Sequence, residues 1–221
     1  AEVDGTLLTK TFEVQDCLKY DGCSSDHTSD YSFAKYVMDS SGYNYSQSLS
    51  FDSTSNDYDV VVGGTYNGGG TYYVIPLITH DPTKTVKITA KTKVTDYVNG
   101  NMLGDTGLGL VDVSNNRANH ICYRAYGSGN WTRRFTKTTG ATSWTHIENI
   151  SASGDKRNEW ITHELTVTGL SFTYKLIDSS NTTLWEYSNS FDSNLSGKAL
   201  GLITGWVGNT IHVKDMKVKP L

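Results

Sequence analysis

The 221-residue sequence has little proline, little cysteine and few charged residues, and each shortage narrows the class of protein. Three prolines with 21 glycines suit tight turns between strands better than a disordered stalk. Charged residues make up 19 % of the chain and the formal net charge is −4, which argues against a nucleic-acid partner. The sequence also lacks an apolar run of about 18 residues, so we expect no membrane insertion.

The length is sufficient for one large β domain or two small ones with a substantial core. Because no linker or internal repeat divides the sequence, we predict a single domain over residues 11–221, preceded by a lead-in strand or linker over residues 1–10. The chain begins with Ala1 rather than Met, which we interpret as a processed or excised piece of a larger protein.

The three cysteines give a weak indication of the compartment. Cys17 and Cys23 lie in a short acidic segment whose spacing fits either one disulfide or two free thiols. Cys122 lies in an apolar run and is expected to be a small core residue. No histidine lies at zinc-ligand spacing from these cysteines, which argues against a zinc site. Five Asn-X-Ser/Thr sequons permit an extracellular location without establishing one: Asn44, Asn130, Asn149, Asn181 and Asn194.

Apolar residues alternate with polar ones along most of the chain, which is the pattern of half-buried strands. Residues 161–167 and 170–176 alternate on either side of Gly169 and predict a β-hairpin, and residues 86–94 alternate with lysine and threonine. Asn99-Gly100 is the sharpest signal for a two-residue hairpin turn. Further strands are predicted near residues 46–51, 58–62, 71–78, 106–113, 119–126, 130–137, 143–149, 201–206 and 211–218. This spacing predicts an all-β double-sheet sandwich.

The last predicted strand contains a slip in its alternation. Ile211 and Val213 set one phase, whereas Met216 and Val218 set the other. Continued alternation would place the Asp215 carboxylate on the inward face, where it must be neutralised, paired or bound to a metal.

Four segments together resemble the concanavalin A-like (laminin-G-like) jelly-roll superfamily: Trp160–Gly169, Phe172–Tyr174, Gly201–Gly205 and Val213–Val218. The stretch Phe12–Asp16, followed by Asp-rich turns and Tyr31-Ser-Phe33, is similar to the opening of such domains. The resemblance covers about residues 11–220 and implies an antiparallel jelly-roll sandwich. Its members include lectin-like modules, adhesins, phage tail and fibre domains, and glycan hydrolases and lyases, so the fold does not choose the function.

The acidic N-terminal stretch is a candidate calcium site. It contains Asp16, Asp21, Asp26 and Asp30, and a carboxylate-rich turn supplies the oxygen ligands that Ca²⁺ requires. The resemblance implies an ion that ties the first loop to the last strand. We therefore predict structural calcium on Asp21, Asp26 and Asp215, with ordinary turn and capping aspartates as the alternative.

The stretch 120–148 is a candidate glycan site because aromatic rings stack on sugar faces and polar side chains bind sugar hydroxyls. Arginine can also bind the carboxylate of an acidic sugar. The alternative is that these rings pack a core, as we expect for Trp160 and Trp185. A glycine-rich segment at 63–73 contains three tyrosines, two of them candidate ligand residues, and lacks the lysine of a nucleotide loop. The predicted ligand-binding residues are Tyr66, Tyr72, His120, Tyr123, Arg124, Tyr126, Trp131, Arg133 and Trp144.

Catalytic patterns are sparse in the sequence. It has no pair of carboxylates alternating on one strand, no Gly-X-Ser-X-Gly elbow and no matched Cys/His nucleophile pair. The leading hypothesis is therefore a non-catalytic module that binds glycans or a cell surface, from an adhesin or a phage tail or fibre protein. The alternatives are a polysaccharide hydrolase or lyase, and a structural domain of a larger extracellular or virion assembly. We expect the protein at an extracellular, cell-surface or virion location.

Overall fold

Fourteen strands, numbered in chain order, form two seven-stranded antiparallel sheets in the computed structural model. The structure describes residues 34–37, 47–52, 59–64, 71–95, 105–126, 129–140, 143–205 and 210–221. Sheet A consists, in spatial order, of β1 (Ala34–Val37), β4 (Thr71–Thr79), β13 (Ala199–Gly205), β6 (Asp105–Asp112), β7 (Arg117–Ala125), β8 (Asn130–Gly140) and β9 (Ser143–Ser153). Sheet B consists of β12 (Thr183–Ser190), β11 (Ser171–Ile177), β10 (Ile161–Thr168), β5 (Thr85–Thr95), β14 (Thr210–Pro220), β3 (Asp59–Gly64) and β2 (Gln47–Asp52).

These sheets confirm the predicted fold class, an antiparallel double-sheet jelly-roll sandwich. Among the described residues, two short 3-10 helices accompany the strands, at Val113–Asn115 and Ser193–Leu195. In the part of the chain that the structure describes, no helix is long and apolar enough to cross a membrane.

The alternation of residue types along β5 and β10 determines which face of sheet B is buried. On β5 the residues at even positions are buried and those at odd positions are partly exposed, and on β10 the odd positions are buried. The predicted hairpin is confirmed as β10 and β11, with Leu165 opposite Tyr174 and Val167 opposite Phe172. Because side chains on a strand alternate between faces, the apolar set of each strand faces the other sheet.

Aromatic rings from both sheets meet in the core. The rings of Phe135 in sheet A and Phe172 in sheet B lie 5.3 Å apart at 71°, which is an edge-to-face contact. Tyr123 in sheet A lies 5.7 Å from the ring of His163 in sheet B. These contacts show that the two sheets pack face to face through their inner surfaces.

His163 is a polar residue within this core, and its ring is fully buried. Its Nδ1 lies 2.6 Å from the Tyr174 hydroxyl, and its Nε2 lies 2.8 Å from the Thr92 hydroxyl. Both ring nitrogens therefore have partners, as a buried imidazole requires. Burial lowers the pKa of His163 to about 3, so the ring is neutral at physiological pH.

The slip predicted at Asp215 is a β-bulge. The pairing of β14 with β5 shifts between Lys214 and Lys217, and Asp215 has a positive φ of 53°. The bulge places both Lys214 and Asp215 on the outer face, whereas Val213 and Met216 remain buried. The Asp215 carboxylate consequently lies 3.1 Å from the Lys91 ammonium on the outer face.

The hairpin turn predicted at Asn99-Gly100 lies outside the described residues. The described strands on either side of it, β5 and β6, belong to different sheets and do not pair with each other.

Two glycines allow β6 to lie close to β7. A side chain at Gly107 or Gly109 would collide with the backbone of β7, and a Cβ at Gly109 would lie against the Asn119 carbonyl oxygen and 2.8 Å from the Cα of His120. Because the obstruction is backbone, it cannot be relieved by a rotamer change.

We expect Gly109→Ala to lower the free energy of unfolding by about 2 kcal/mol or more, since β6 and β7 must separate to admit the methyl group. Urea denaturation followed by tryptophan fluorescence measures this loss. The matched control is Gly140→Ala in β8, where a Cβ meets nothing within 4 Å, and it should change stability by about 0.5 kcal/mol or less. Equal effects of the two substitutions would contradict the close approach of the strands.

Acid should destabilise the fold through His163. The pKa of this imidazole is 6.5 in the unfolded chain, whereas burial lowers it to about 3 in the folded chain. Between these two pH values the unfolded state binds more protons than the folded state. The free energy of unfolding therefore falls as the pH falls through this window. We expect His163→Gln to reduce the slope of unfolding free energy against pH between pH 6 and 4 by up to about 1.4 kcal/mol per pH unit. Denaturation curves at several pH values measure both slopes, and identical slopes would refute this assignment.

Candidate functional site

β7 presents two different sets of side chains on its two faces. Ile121 and Tyr123 point into the core between the sheets, whereas His120, Cys122 and Arg124 point to the outer face of sheet A. The neighbouring strands align with the outer set, because Asp105 of β6 lies opposite Arg124 and Arg134 of β8 lies opposite Cys122. Strand register therefore assembles the outer group from three separate strands.

A buried ion pair lies at the centre of this outer group. The Arg124 guanidinium donates to both Asp105 carboxylate oxygens, at 2.5 and 2.6 Å, and their side chains are only 5 % and 2 % exposed. This bidentate geometry is the strong form of the arginine–carboxylate contact. Arg134 lies beside the pair, with its Nη1 3.8 Å from Asp105. We refer to Asp105, Arg124 and Arg134 as the arginine cluster.

Arg134 makes its own hydrogen bonds to neutral groups. Its Nε donates to the Asn149 side-chain oxygen at 2.9 Å, and its Nη2 donates to the Tyr126 hydroxyl at 3.3 Å. The Asp105 carboxylate, at 3.8 Å, is beyond hydrogen-bond distance and is already bound by Arg124. Arg134 is thus held in place without a carboxylate at hydrogen-bond distance in the described part of the chain.

Burial and the two guanidinium groups shift the pKa values of the neighbouring titratable groups. Burial lowers the pKa of His120 to about 4, with smaller lowering from His146, Arg134 and Arg124 against an opposing influence of Asp105. Burial, followed by Asp105, raises the pKa of the Cys122 thiol well above its usual range. Burial also lowers the pKa of His146, and Arg134 lowers it further. At neutral pH the imidazole of His120 is neutral and Cys122 is a thiol.

Asp105, His120 and Cys122 each offer a metal-ligating atom, and these atoms lie within 4.8 Å of one another. Their surroundings do not suit a cation. The Asp105 carboxylate is bound by Arg124, a second guanidinium lies beside it, and Cys122 favours its protonated form. Metal ligation requires a thiolate and an available carboxylate, so this group is better described as an ion pair with neutral neighbours.

The outer face becomes accessible toward the edge strand β9. Trp144 is 39 % exposed and lies opposite Thr138 of β8, and Asn149 is exposed beside Arg134. His146 is half-buried, and its Nδ1 lies 2.8 Å from the Thr136 hydroxyl. This region, which we call the β8–β9 strip, comprises Tyr126, Trp144, His146 and Asn149 around Arg134, which is itself 9 % exposed. It combines an exposed indole, an anchored guanidinium and polar hydrogen-bonding groups.

The structure separates the predicted ligand residues into groups. Tyr126 and Trp144 belong to the β8–β9 strip. Tyr123 and Trp131 are buried in the inter-sheet core, at 0 % and 4 % exposure, so they offer no surface to a ligand in this structure. Their positions follow from alternation, since Tyr123 and Trp131 share the inner face with Ile121 and Phe135.

The other predicted residues lie elsewhere. His120 and Arg124 are on the outer face but buried beneath it, at 1 % and 4 % exposure. Arg133 points toward the gap between the sheets, 3.2 Å from Glu148 and over the Trp185 ring at 5.9 Å. Tyr72 is part of β4, opposite Gly205 of β13, and Tyr66 lies outside the described residues.

Asp105 and Asn149 are site residues that the sequence patterns did not indicate. Asp105 precedes Arg124 by 19 positions, so its role depends on the register of β6 against β7. The signal that could have indicated Asp105 is a carboxylate on one predicted strand opposite an outward-facing arginine on the next.

The predicted calcium ligands and disulfide stay predictions. Asp21, Asp26, Cys17 and Cys23 lie outside the described residues. Asp215 pairs with Lys91, which supplies the charge compensation that its position requires. Trp160, expected to be structural, lies on the outer face of sheet B beneath two lysine ammonium groups, at 4.6 Å for Lys93 and 4.1 Å for Lys214.

The fold and the strip together define a jelly-roll sandwich with a polar and aromatic outer face. No protein-family model matches the chain, and no curated protein matches it in sequence. The chain is similar in structure to a protein of unknown function from Shewanella oneidensis MR-1, with 15 % identity, 96 % of this chain and 93 % of the other covered, and a TM-score of 0.52.

Two further solved structures show the same architecture. Alginate lyase A1-II′, a member of polysaccharide lyase family 7, matches with 13 % identity, 85 % of this chain and 94 % of the other covered, and a TM-score of 0.52. A functionally unknown protein from Saccharomyces cerevisiae matches with 10 % identity, 81 % and 96 % coverage, and a TM-score of 0.51. Identities this low show a shared fold and carry no conclusion about activity.

We expect Asp105→Asn to destabilise the protein by about 3–5 kcal/mol, because it removes the negative charge that the buried Arg124 guanidinium binds. Chemical denaturation at neutral pH measures the loss. The control is Glu186→Gln, whose exposed pair with Lys175 should contribute at most about 0.5 kcal/mol. A stability change at Asp105 as small as that at Glu186 would refute a structural role for the cluster.

Proposed function

We propose that this chain is a non-catalytic glycan-binding module that acts at an extracellular, cell-surface or virion location, with the β8–β9 strip as its binding surface. The observation that carries this proposal is the exposed Trp144 indole on the same face as the anchored Arg134 guanidinium. Sugar rings pack their C–H faces on indole rings, while hydroxyls exchange hydrogen bonds with groups such as Asn149 and Tyr126.

The strip is long enough for an oligosaccharide. Arg134 and the Trp144 partner Thr138 are four residues apart on β8, which corresponds to roughly 13 Å along a strand. A ligand that contacts both ends must therefore be extended. Edge strands also expose unpaired backbone groups, and β9 is the edge of sheet A among the described strands.

The charge of the strip favours an acidic sugar. Arg134 donates hydrogen bonds to neutral groups, lies 3.8 Å from the Asp105 carboxylate that Arg124 binds, and has a side chain that is 11 % exposed, so a sugar carboxylate or sulfate is a suitable partner. Membership of the concanavalin A-like superfamily, as the sequence resemblance implies, is part of this proposal. The structural likeness to an alginate lyase supports the proposal of glycan binding, because a fold of this kind can accommodate a polysaccharide.

A polysaccharide lyase is the second candidate, favoured by the placement of His146 and Tyr126 on either side of Arg134. The pKa of His146 is lowered by burial and by Arg134, which keeps the imidazole neutral as a general base requires. A hydrolase is less well supported, because Asp105, the carboxylate that the described residues place on this face, is already bound by Arg124.

We expect Trp144→Ala to weaken binding of the glycan selected on a broad glycan array by about tenfold, since it removes the stacking platform (~1.4 kcal/mol). The array is followed by titration calorimetry on the selected oligosaccharide. The control is Ile147→Ala, a 48 % exposed residue on the same strand, which should leave the affinity unchanged.

Three results would contradict the proposed function. An array without any bound glycan, acidic or neutral, would reject glycan binding by this module. Release of unsaturated products from polyuronates, detected by ultraviolet absorbance and abolished by His146→Gln, would replace the binding module by the lyase. Equal losses for Trp144→Ala and Ile147→Ala would show that the strip is not the binding surface.

A further inference from the structure

The outer faces of β5 and β14, on the sheet opposite the β8–β9 strip, carry a row of lysines. Burial on β5 leaves Lys87, Lys91 and Lys93 pointing outward, and on β14 the bulge at Asp215 keeps three more lysines on the same face. We refer to the six residues as the lysine stripe: Lys87, Lys91, Lys93, Lys214, Lys217 and Lys219.

The stripe places like charges directly opposite each other across two paired strands. Lys91 lies opposite Lys214, and Lys87 lies opposite Lys219. The Cβ atoms of opposed residues on one face of an antiparallel pair lie about 5 Å apart, and like charges on directly opposed residues destabilise the sheet. Contacts within the protein relieve part of this repulsion, and an anionic ligand would convert the remainder into attraction.

Two carboxylates compensate part of this charge. Glu164 lies 2.9 Å from the Lys87 ammonium, and Asp215 lies 3.1 Å from that of Lys91, with both acids 26 % exposed. Lys93 contacts the Trp160 ring, and Lys219 is exposed at the end of β14. Neither Lys93 nor Lys219 has a carboxylate partner in the described part of the chain. The stripe thus carries more positive than negative charge, in a protein with a net charge of −4.

An aromatic residue and a cavity adjoin one end of the stripe. The ammonium groups of Lys93 and Lys214 lie 4.6 and 4.1 Å from the centre of the Trp160 ring. A cavity of about 450 Å³ beside this ring is lined by two lysines, two carboxylates and several neutral side chains: Lys91, Lys214, Glu164, Asp178, Thr162, Ile177, Ser179 and Asn181. Trp160 and Ile177 offer apolar surface there, and Thr162 and Asn181 offer hydrogen bonds.

We propose that the lysine stripe and the Trp160 cavity form a binding surface for a linear anionic polysaccharide that carries carboxylate or sulfate groups. Successive outward lysines on one strand are about 6.6 Å apart, so an extended polymer can meet several ammonium groups in turn. A sugar ring then enters the cavity beside Trp160. This surface is on the other sheet from the β8–β9 strip and does not depend on that strip.

The face is less suitable for nucleic acid. Single strands bind through bases stacked on several aromatic rings, whereas the described outer face of β5, β10 and β14 offers one indole.

The test compares the full 221-residue chain with the triple variant Lys87→Gln/Lys93→Gln/Lys219→Gln in titrations with dextran sulfate, a polyuronate and neutral dextran. We expect the triple variant to bind the anionic polymers at least about tenfold more weakly, with a shallower dependence of log affinity on log salt concentration. Lys175→Gln on β11 is the matched control, because Lys175 is as exposed as Lys91, at 40 %. The control should bind within about twofold of the original chain.

Each remaining outcome is decisive. The triple variant loses the partly exposed Lys87–Glu164 pair, which contributes little to stability, so it should remain folded at the titration temperature, and its melting curve checks that a loss of binding does not come from unfolding. Unchanged binding in the triple variant, or equal binding of neutral dextran, would overturn the proposal. Tighter binding of a single-stranded DNA oligonucleotide than of either anionic polymer would assign the stripe to nucleic acid. Loss of polymer binding in Trp144→Ala, with the stripe variant unaffected, would place the anionic ligand on sheet A.

Discussion

Contact between the inner faces of the two sheets constrains the register of every strand that takes part in it. A shift of one residue would exchange the buried and exposed faces, since side chains alternate along a strand. On β10 such a shift would expose Leu165 and Val167 and bury Glu164. The rings of Phe135 and Phe172, packed edge to face across the interface, would lose their contact as well. Burial of apolar surface therefore decides which polar residues reach the outer faces.

The arginine cluster and the lysine stripe are both consequences of that constraint. Tyr123 must face the core, so Arg124 must face outward, where it meets Asp105 across the strand pair. On the other sheet, burial of Ile88 and Ala90 leaves the alternate positions to lysine and threonine. The two surfaces differ in exposure. The charges of the arginine cluster are buried and matched at close range, whereas the lysines are exposed and carry excess charge.

Local patterns predicted the elements whose determinants lie within one segment. The β10–β11 hairpin followed from alternation around Gly169, and the phase change predicted within β14 coincides with the bulge at Asp215. The strands on either side of Asn99-Gly100 join different sheets, which a local turn signal does not reveal. The candidate site was only partly predictable for the same reason. The stretch 120–148 mixes inward and outward residues, and Asp105 enters the site through a pairing that no local pattern reveals.

The position of β14 in sheet B has a consequence for how the protein is made. Thr210 pairs with Thr95, and β14 lies between β5 and β3, so this strand fills the middle of the sheet from a distant part of the chain. During synthesis, β5 and β3 emerge long before residues 210–220. The backbone groups of β5 and β3 that pair with β14 therefore remain unpaired until β14 has been made. Such non-local closure is slow, and premature pairing with another nascent chain competes with it. The lysines that repel one another in the finished sheet would also repel the same strand of a neighbouring chain during that interval.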